Sequence, residues 1–389
     1  DTVNILLINV FSALATGGAV VSGHFLGKKK REDACKSAWQ ILLFATLLAF
    51  VISVIFITAH DPLLRLMFGK IEDDVMKASK TYLIITTYSF VALAIYNSCA
   101  ALFRAMNESK VTMWVSLLMN VINVVGNAIC IYGLHMGVAG VAIPTTISRY
   151  VAAVVIFLLM FQTKKEINLC GQITWKFNGS LIKKILYIAI PNGLENSMFQ
   201  LGKILVMSAV ATMGTSAIAA NAVTGTIANW NNLPGFAINL AIVSVVSVCV
   251  GAGRYDQARY YTRRLCRDAM IGIGCLSIIL YLSAPILVTF FNLGPDAAQL
   301  TIQIVRIHAV ASAFLWMPAF GVPNTLRAAG DVVWPMRVFR VVLAYVFTYV
   351  CHFGLVSIWG AMFIDWVVRE IFYVLRYKGH KWEHFAQKS

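Results

Sequence analysis

The sequence predicts an all-α polytopic membrane protein built from two pseudo-symmetric six-helix lobes. Three observations support this prediction. The 389 residues are 59% hydrophobic and 13% charged, whereas a soluble domain is about 45–50% apolar and about 25% charged. Charge-free stretches recur along the chain, and a membrane helix needs roughly 20 such residues. Short motifs of the first half also return, in the same order, in the second half.

The charge-free stretches predict eleven membrane spans. They cover residues 2–27, 37–59, 81–103, 111–148, 204–253, 269–295, 307–326 and 341–364, with interrupted apolar runs near 150–162, 185–203 and 365–377. Two stretches are too long for one helix, because a helix rises about 1.5 Å per residue. We expect 111–148 to turn around Gly133 and Gly137, and 204–253 to turn at 213–216.

Lysine and arginine predict the orientation, because cytoplasmic loops carry most of these residues. They concentrate in alternate loops: 28–36, 104–110, 164–184 and 254–267. The net charge of +15 therefore belongs to the cytoplasmic face. It does not indicate nucleic-acid binding. We predict a monomer whose partners are membrane lipids and a small-molecule substrate.

Several functional classes are excluded by missing motifs. The eight cysteines show no metal-ligand spacing, and the chain has no phosphate-binding loop. No His, Asp, Glu or Ser constellation of a membrane-embedded enzyme is evident. We therefore expect neither an enzyme nor a cofactor, and no function driven by ATP hydrolysis.

An internal repeat organises the chain. Residues 24–34 resemble 248–258, and 102–113 resemble 325–336, while Gly140 and Arg149 correspond to Gly360 and Arg369. Both copies have the same orientation, which indicates a parallel repeat about an axis along the membrane normal. The predicted organisation is an N-lobe at 1–162 (spans two to six), a cytoplasmic linker at 163–182, a C-lobe at 183–378 (spans seven to twelve) and a cytoplasmic tail at 379–389. Since the first copy has one span fewer, we expect its first helix before Asp1.

These repeated motifs resemble the MATE (multidrug and toxic compound extrusion) family. The resemblance rests on the turn at 251–258, its degraded copy at 27–34, the turn at 326–331 with its copy at 102–107, and the segment 191–196. It implies a twelve-span antiporter in the plasma (inner) membrane of a prokaryote. Such a protein exports amphipathic, cationic drugs or toxic compounds and is driven by an inward gradient of Na⁺ or H⁺.

A candidate cation site lies in spans five and six, counted with the first helix that we expect before Asp1. Asn123 and Asn127 share one helix face, and Thr145 follows Pro144. Neutral oxygen ligands inside a bundle suit Na⁺. The resemblance implies an embedded cation site in the first lobe and carries over to Asn123, Asn127 and Thr145. The alternative is that these side chains only join helices by hydrogen bonds.

Candidate substrate contacts lie in the second lobe. Glu195 is an acid in an apolar span, which is costly unless it is paired or faces water. It either faces a cavity or pairs with Lys203 or a nearby arginine. The polar run 229–232 before Pro234 indicates a broken, cavity-lining helix, with Asn229 and Asn232 as contacts. Trp316 and Met198 form a candidate apolar wall, or they are plain packing residues.

The sequence keeps one alternative function open, a lipid-linked oligosaccharide or lipid flippase of the same superfold. Such a protein needs a cationic cavity, for which Arg149, Lys203 and Arg306 are candidates. Another membrane-embedded arginine, Arg369, has a simpler explanation, because Asp365 lies one helical turn before it.

Overall fold

The computed structural model describes residues 2–62, 64, 73–332 and 355–383, and every regular element within these ranges is helical. The chain divides into two compact units, residues 1–193 and 194–389. The first part of the predicted stretch 341–364 lies outside the described residues.

Within its described residues, the first unit contains six helices and the beginning of a seventh. They are α1 (Thr2–Gly27), α2 (Arg31–Thr58), α3 (Asp73–Thr87), α4 (Phe90–Ala105), α5 (Ser109–Ala128), α6 (Ala139–Leu159) and α7 (Gly179–Ala211). The division between the units falls inside α7, after Gly193. Helix α5 continues into a π-helical turn at Ile129–Gly133, before the predicted reversal at Gly137.

The second unit contains the rest of α7 and the remaining described helices. They are α8 (Thr215–Asn231), α9 (Leu233–Gly251), α10 (Tyr255–Thr289), α11 (Pro295–Ala311), α12 (Met317–Phe320), α13 (Val322–Ala328) and α14 (Leu355–Lys378). A π-helical turn at Ser312–Trp316 joins α11 to α12, so that residues 295–328 form one nearly continuous rod.

Seven helical segments of the described chain are long and apolar enough to cross a membrane. An eighth is added if α3 and α4, which meet at a 48° bend, form one span. Helix α7 is more polar, since it carries Lys183, Lys184, Glu195 and Lys203. The all-helical, polytopic fold class is confirmed.

Small residues bring the helices of the first unit close together. Ala15 and Ala19 of α1 pack on Ala101 and Ala105 of α4. A Cβ atom at Gly18 would lie 2.6 Å from the side chain of Ile41 in α2. Contacts of this kind replace the hydrophobic driving force that is missing between helices in lipid.

The predicted repeat is visible in the hydrogen bonds of two pairs of turns. After α1, the amides of Lys29 and Lys30 donate to the carbonyls of Leu26 and Phe25, each at 2.9 Å. After α9, the amides of Gly253 and Arg254 donate to Val250 and Cys249 at 3.0 and 2.9 Å.

The second pair of turns repeats the same geometry after α4 and after α13. The amide of Asn107 donates to Arg104 at 2.9 Å, and that of Gly330 donates to Arg327 at 3.0 Å. Asn107 and Gly330 both have positive φ, 61° and 86°. The sequence motifs therefore mark equivalent turns in the two units.

Two predicted interruptions of the helices are present. Gly214, with φ 96°, lies in the turn between α7 and α8. Asn232 separates α8 from α9, and Pro234 occupies the first turn of α9. Proline suits this position because a first-turn amide has no helical partner.

The segment predicted as a linker is docked on the first unit. Ile167 and Leu169 are fully buried, and Arg31 of α2 donates to the carbonyl oxygens of Thr163, Lys165 and Glu166 at 2.6–3.0 Å. The lobe boundaries at 162 and 183 remain predictions. The first unit extends beyond them because the linker packs against its helices.

Candidate functional site

The three predicted cation ligands lie together between α5 and α6. The amide nitrogen of Asn127 donates to the side-chain oxygen of Asn123 at 3.2 Å, and the amide nitrogen of Asn123 donates to Thr145 Oγ1 at 2.9 Å. The Thr145 hydroxyl donates in turn to the carbonyl of Val141 at 2.8 Å. We call Asn123, Asn127 and Thr145 the neutral cluster.

The neutral cluster leaves one oxygen unsatisfied. Its three hydrogen bonds run in one direction, because each residue donates to the next from Asn127 to the carbonyl of Val141. Asn127 Oδ1 stands at the other end, where it is buried and has no hydrogen-bond partner within the described part of the chain. A buried acceptor without a donor costs about 1–3 kcal/mol. A bound cation would remove that cost.

Close contact between α5 and α6 holds the neutral cluster in place. A Cβ atom at Gly126 would lie only 2.7 Å from Pro144 Cβ, so glycine is required for this approach. Pro144 has no amide proton and therefore leaves a carbonyl of the preceding turn without its helical partner. Gly126 thus permits the close approach of the two helices, and Pro144 frees a backbone oxygen of α6.

Helix α6 is also tied to α3 and to the bend after it. Thr146 Oγ1 donates to the carbonyl of Ile85 at 3.1 Å, and Arg149 donates to Ser89 Oγ at 2.8 Å. The guanidinium of Arg149 thus has a partner inside its own unit.

The second unit holds an ionic cluster around Glu195. Its carboxylate pairs with the guanidinium of Arg327, and its other oxygen lies 3.7 Å from Arg369 Nη1. Arg369 Nε lies 3.3 Å from Asp365 Oδ2, which confirms the pairing expected from their spacing on α14. We call Glu195, Arg327, Asp365 and Arg369 the ionic cluster.

The charges of the ionic cluster cancel, since two acids face two arginines. Arg327 also donates to Asn324 Oδ1 at 2.7 Å, and Arg369 lies 5.5 Å from the ring centre of Phe320. The side chain of Glu195 is 14% exposed and that of Arg369 is 4% exposed. Of the two roles considered for Glu195, the geometry favours pairing with an arginine.

The other predicted substrate contacts have different environments. Asn229 and Met198 are exposed within the described structure, whereas Asn232 and Trp316 are buried. Trp316 packs edge-on against Phe236 and stacks on Phe320, with ring centres 5.2 Å apart in both pairs. Gly235 makes room for its indole, because a Cβ there would lie 2.0 Å from the ring. Trp316 is therefore a core residue of the second unit.

Sequence reasoning missed a buried polar triad beside the break between α8 and α9. Asn231 Nδ2 donates to Ser277 Oγ at 3.1 Å and to Ser312 Oγ at 2.5 Å. The polar run 229–232 indicated the correct helix, but the predicted contacts were Asn229 and Asn232 and not Asn231. The third member, Ser312, is the first residue of the π-helical turn between α11 and α12.

The three basic residues for which a flippase was considered each contact a neighbour in their own unit. Lys203 lies 4.9 Å from the ring centre of Phe199, and Arg306 lies 5.3 Å from that of Tyr281. Together with Arg149 on Ser89, they stay near neighbours of their own unit. Nothing in this geometry favours binding of a pyrophosphate. No group of His, Cys, Asp and Glu suited to a metal occurs among the described residues.

Comparisons with known proteins agree with the family that the sequence motifs resemble. A family model named MatE matches residues 1–129 and 191–350. An uncharacterized transporter, YisQ of Bacillus subtilis, is 26% identical over 392 residues, covering 97% of this chain and 84% of its own length. The probable multidrug resistance protein NorM of Thermotoga maritima is 23% identical, covering 97% of this chain and 82% of its own.

Solved structures share the fold. An outward-facing multidrug resistance MATE family transporter of the MOP superfamily superimposes with a TM-score of 0.89 at 19% identity, covering 100% of this chain and 87% of its own. A MOP superfamily transporter from Pyrococcus furiosus superimposes with a TM-score of 0.87 at 20% identity, covering 96% and 84%. The family model covers well over half of the sequence, and the chain therefore belongs to the MatE family of membrane transporters and is not an enzyme.

Proposed function

We propose that this protein is a secondary active antiporter that exports amphipathic, cationic small molecules in exchange for Na⁺ or H⁺. It works as a monomer in the plasma membrane of a prokaryote. Relatives described as probable multidrug resistance proteins support the substrate class. The Lys- and Arg-rich alternate loops support the orientation.

The neutral cluster carries the proposal. Amide and hydroxyl oxygens from two apolar helices converge there, and the oxygen of Asn127 has no donor in the described structure. Sodium needs about five or six oxygen ligands and accepts neutral ones. The cluster supplies three side-chain oxygens, and the loosened turn at Pro144 supplies backbone oxygen beside them.

The two coupling ions use the neutral cluster differently. Amide and hydroxyl side chains do not ionise near neutral pH, so these residues cannot carry a transported proton themselves. Sodium would bind directly to their oxygens. If H⁺ is the coupling ion, a separate acidic side chain would carry the proton, and the oxygens of the neutral cluster would accept a hydrogen bond from it.

Substrate contact is proposed at Glu195, Asn229, Asn232, Trp316 and Met198. Asn229 and Met198 are accessible in the described structure, and the other three require rearrangement of the second unit. Glu195→Gln tests the acid without changing its shape. A substrate contact predicts slower efflux at equal protein incorporation, whereas a purely structural role predicts a lower Tm with normal efflux per incorporated protein.

The test of function is gradient-driven efflux of ethidium from vesicles that contain the purified protein. A Na⁺ gradient and a proton gradient are imposed separately, and protein-free vesicles are the control. We expect efflux to follow one of the two gradients and to stop when an ionophore dissipates it. Ethidium movement that is indifferent to both gradients would contradict the proposal.

A further inference from the structure

The segment that joins α6 to α7 presents apolar side chains on a fixed backbone. Trp39 Nε1 of α2 donates to the carbonyl of Thr174 at 2.7 Å, and Gln40 Nε2 donates to the carbonyl of Lys176 at 3.0 Å. Gln40 Oε1 accepts the amide of Asn178 at 2.9 Å. Two side chains of one helix thus hold residues 174–178 in place.

The intervening residues point outward. Ile173, Trp175 and Phe177 are 59%, 79% and 50% exposed in the described structure. They alternate with residues 174, 176 and 178, whose backbone atoms bond to α2, and form an exposed apolar stretch of the segment. We call Ile173, Trp175 and Phe177 the apolar triplet.

The position of the anchors on α2 places the apolar triplet at a membrane boundary. The first turns of α2, residues 31–36, carry four charged residues, whereas residues 41–58 carry none. Trp39 and Gln40 lie between these regions, about 12 Å along the helix from Arg31. This is the depth at which polar headgroups give way to acyl chains, where tryptophan is enriched.

Two lysines lie beside the apolar triplet. Lys36 and Lys176 line a cavity of about 510 Å³ together with Trp39, Ile173 and Phe177. Lys36 also pairs with Glu32, with 2.7 Å between Nζ and Oε1. Anionic lipids of the cytoplasmic leaflet attract such basic segments.

We propose that the apolar triplet inserts into the cytoplasmic leaflet, and that the cavity with Lys36 and Lys176 binds the headgroup of an anionic phospholipid. The docked segment then anchors the start of α7 at the membrane surface. This inference does not depend on the coupling ion or on the exported substrate, because it concerns only contacts of the first unit with lipid.

Fluorescence of Trp175 tests the insertion. The signal of Trp175 is the difference between the wild-type protein and Trp175→Phe in vesicles. We expect this difference to be quenched by lipids brominated on the acyl chains and to be insensitive to aqueous iodide. Quenching by iodide would overturn the proposal, and so would insensitivity to both quenchers, which would indicate that protein covers the indole.

Lipid retention tests the headgroup site. The protein is purified from vesicles of phosphatidylcholine and phosphatidylglycerol, and bound phosphatidylglycerol is measured against its concentration. Lys36→Gln and Lys176→Gln should each weaken binding about fivefold, since each basic residue contributes about that factor. Lys164→Gln, an exposed lysine of the same segment outside the cavity, is the control. Equal retention in all variants would refute the headgroup site.

Discussion

The neutral cluster of the first unit and the ionic cluster of the second differ in how their polar groups are accommodated between helices. Both place polar groups between helices where water is scarce. The ionic cluster balances two acids with two arginines and leaves no net charge. The neutral cluster carries no charge but leaves Asn127 Oδ1 without a donor among the residues that the structure describes.

This difference assigns different roles to the two clusters. A buried ion pair whose charges balance resists an incoming ion, because either partner would have to be exposed unpaired. A neutral cluster with a free acceptor can gain a cation without breaking any pair. We therefore expect mutations in the ionic cluster to affect stability first, and mutations in the neutral cluster to affect coupling first.

The largest effect is expected for Glu195→Ala. The variant leaves Arg327 and Arg369 with excess positive charge, and breaking such a pair costs about 3–5 kcal/mol. The apparent Tm of the detergent-solubilised protein should fall strongly, and Glu195→Ala/Arg327→Ala should recover part of the loss. Asp296→Ala, which removes an exposed acid, is the control. A wild-type Tm for Glu195→Ala would refute the cluster's structural role.

Thr145→Val should weaken coupling with a smaller effect on stability. It removes one oxygen from a sparse site, and a charge-assisted contact contributes about 1.5–3 kcal/mol. The concentration of driving ion at half-maximal efflux should rise at least tenfold, whereas Thr145→Ser should behave like the wild-type protein. An unchanged half-maximal concentration in Thr145→Val would exclude Thr145 as a ligand.

Gly126→Ala should disturb the neutral cluster without removing a ligand. Its methyl group would lie 2.7 Å from Pro144 Cβ and force α5 and α6 apart. Overpacking of this kind costs about 1–3 kcal/mol. Both Tm and coupled efflux should fall. Gly133→Ala, on the π-helical turn that ends the same helix, meets no atom within 4 Å and should leave both unchanged. Equal behaviour of the two variants would contradict this packing.

The smallest effects are expected at the repeated turns. Gly253 has φ 69° and its counterpart Lys29 has φ 58°. Gly253→Ala should lower stability by about 1 kcal/mol, because a Cβ is disfavoured in this region. Lys29→Gly should be neutral or slightly stabilising for the same reason. The Tm values of the two variants should move apart, and a shift of both in the same direction would contradict the equivalence of the turns.

The fold was largely predictable because its signals are local. Charge-free stretches marked spans, Gly214 marked a turn, and the polar run before Pro234 marked the break at Asn232. The spacing of Asp365 and Arg369 was enough to predict their pairing. Each of these features depends on residues within one or two helical turns.

The contacts that the sequence did not reveal join distant segments. Arg327 and Glu195 pair although 132 positions separate them in the sequence, and no pattern in either helix predicts the partner. The docking of residues 163–178 depends on backbone carbonyls, which carry no sequence signal. Ser312 of the polar triad at Asn231 lies at the start of a π-helical turn, and helical periodicity does not predict such a turn.

The most direct test of the cation role is coupled efflux by Asn123→Ala/Asn127→Ala. Vesicles containing this variant are compared with the wild-type protein and with Asn120→Ala, which removes an exposed amide from the same helix. We predict that gradient-driven ethidium efflux is lost in the double variant and retained in Asn120→Ala, at equal protein incorporation. Unchanged gradient-driven efflux in the double variant would show that these amides only join α5 to α6.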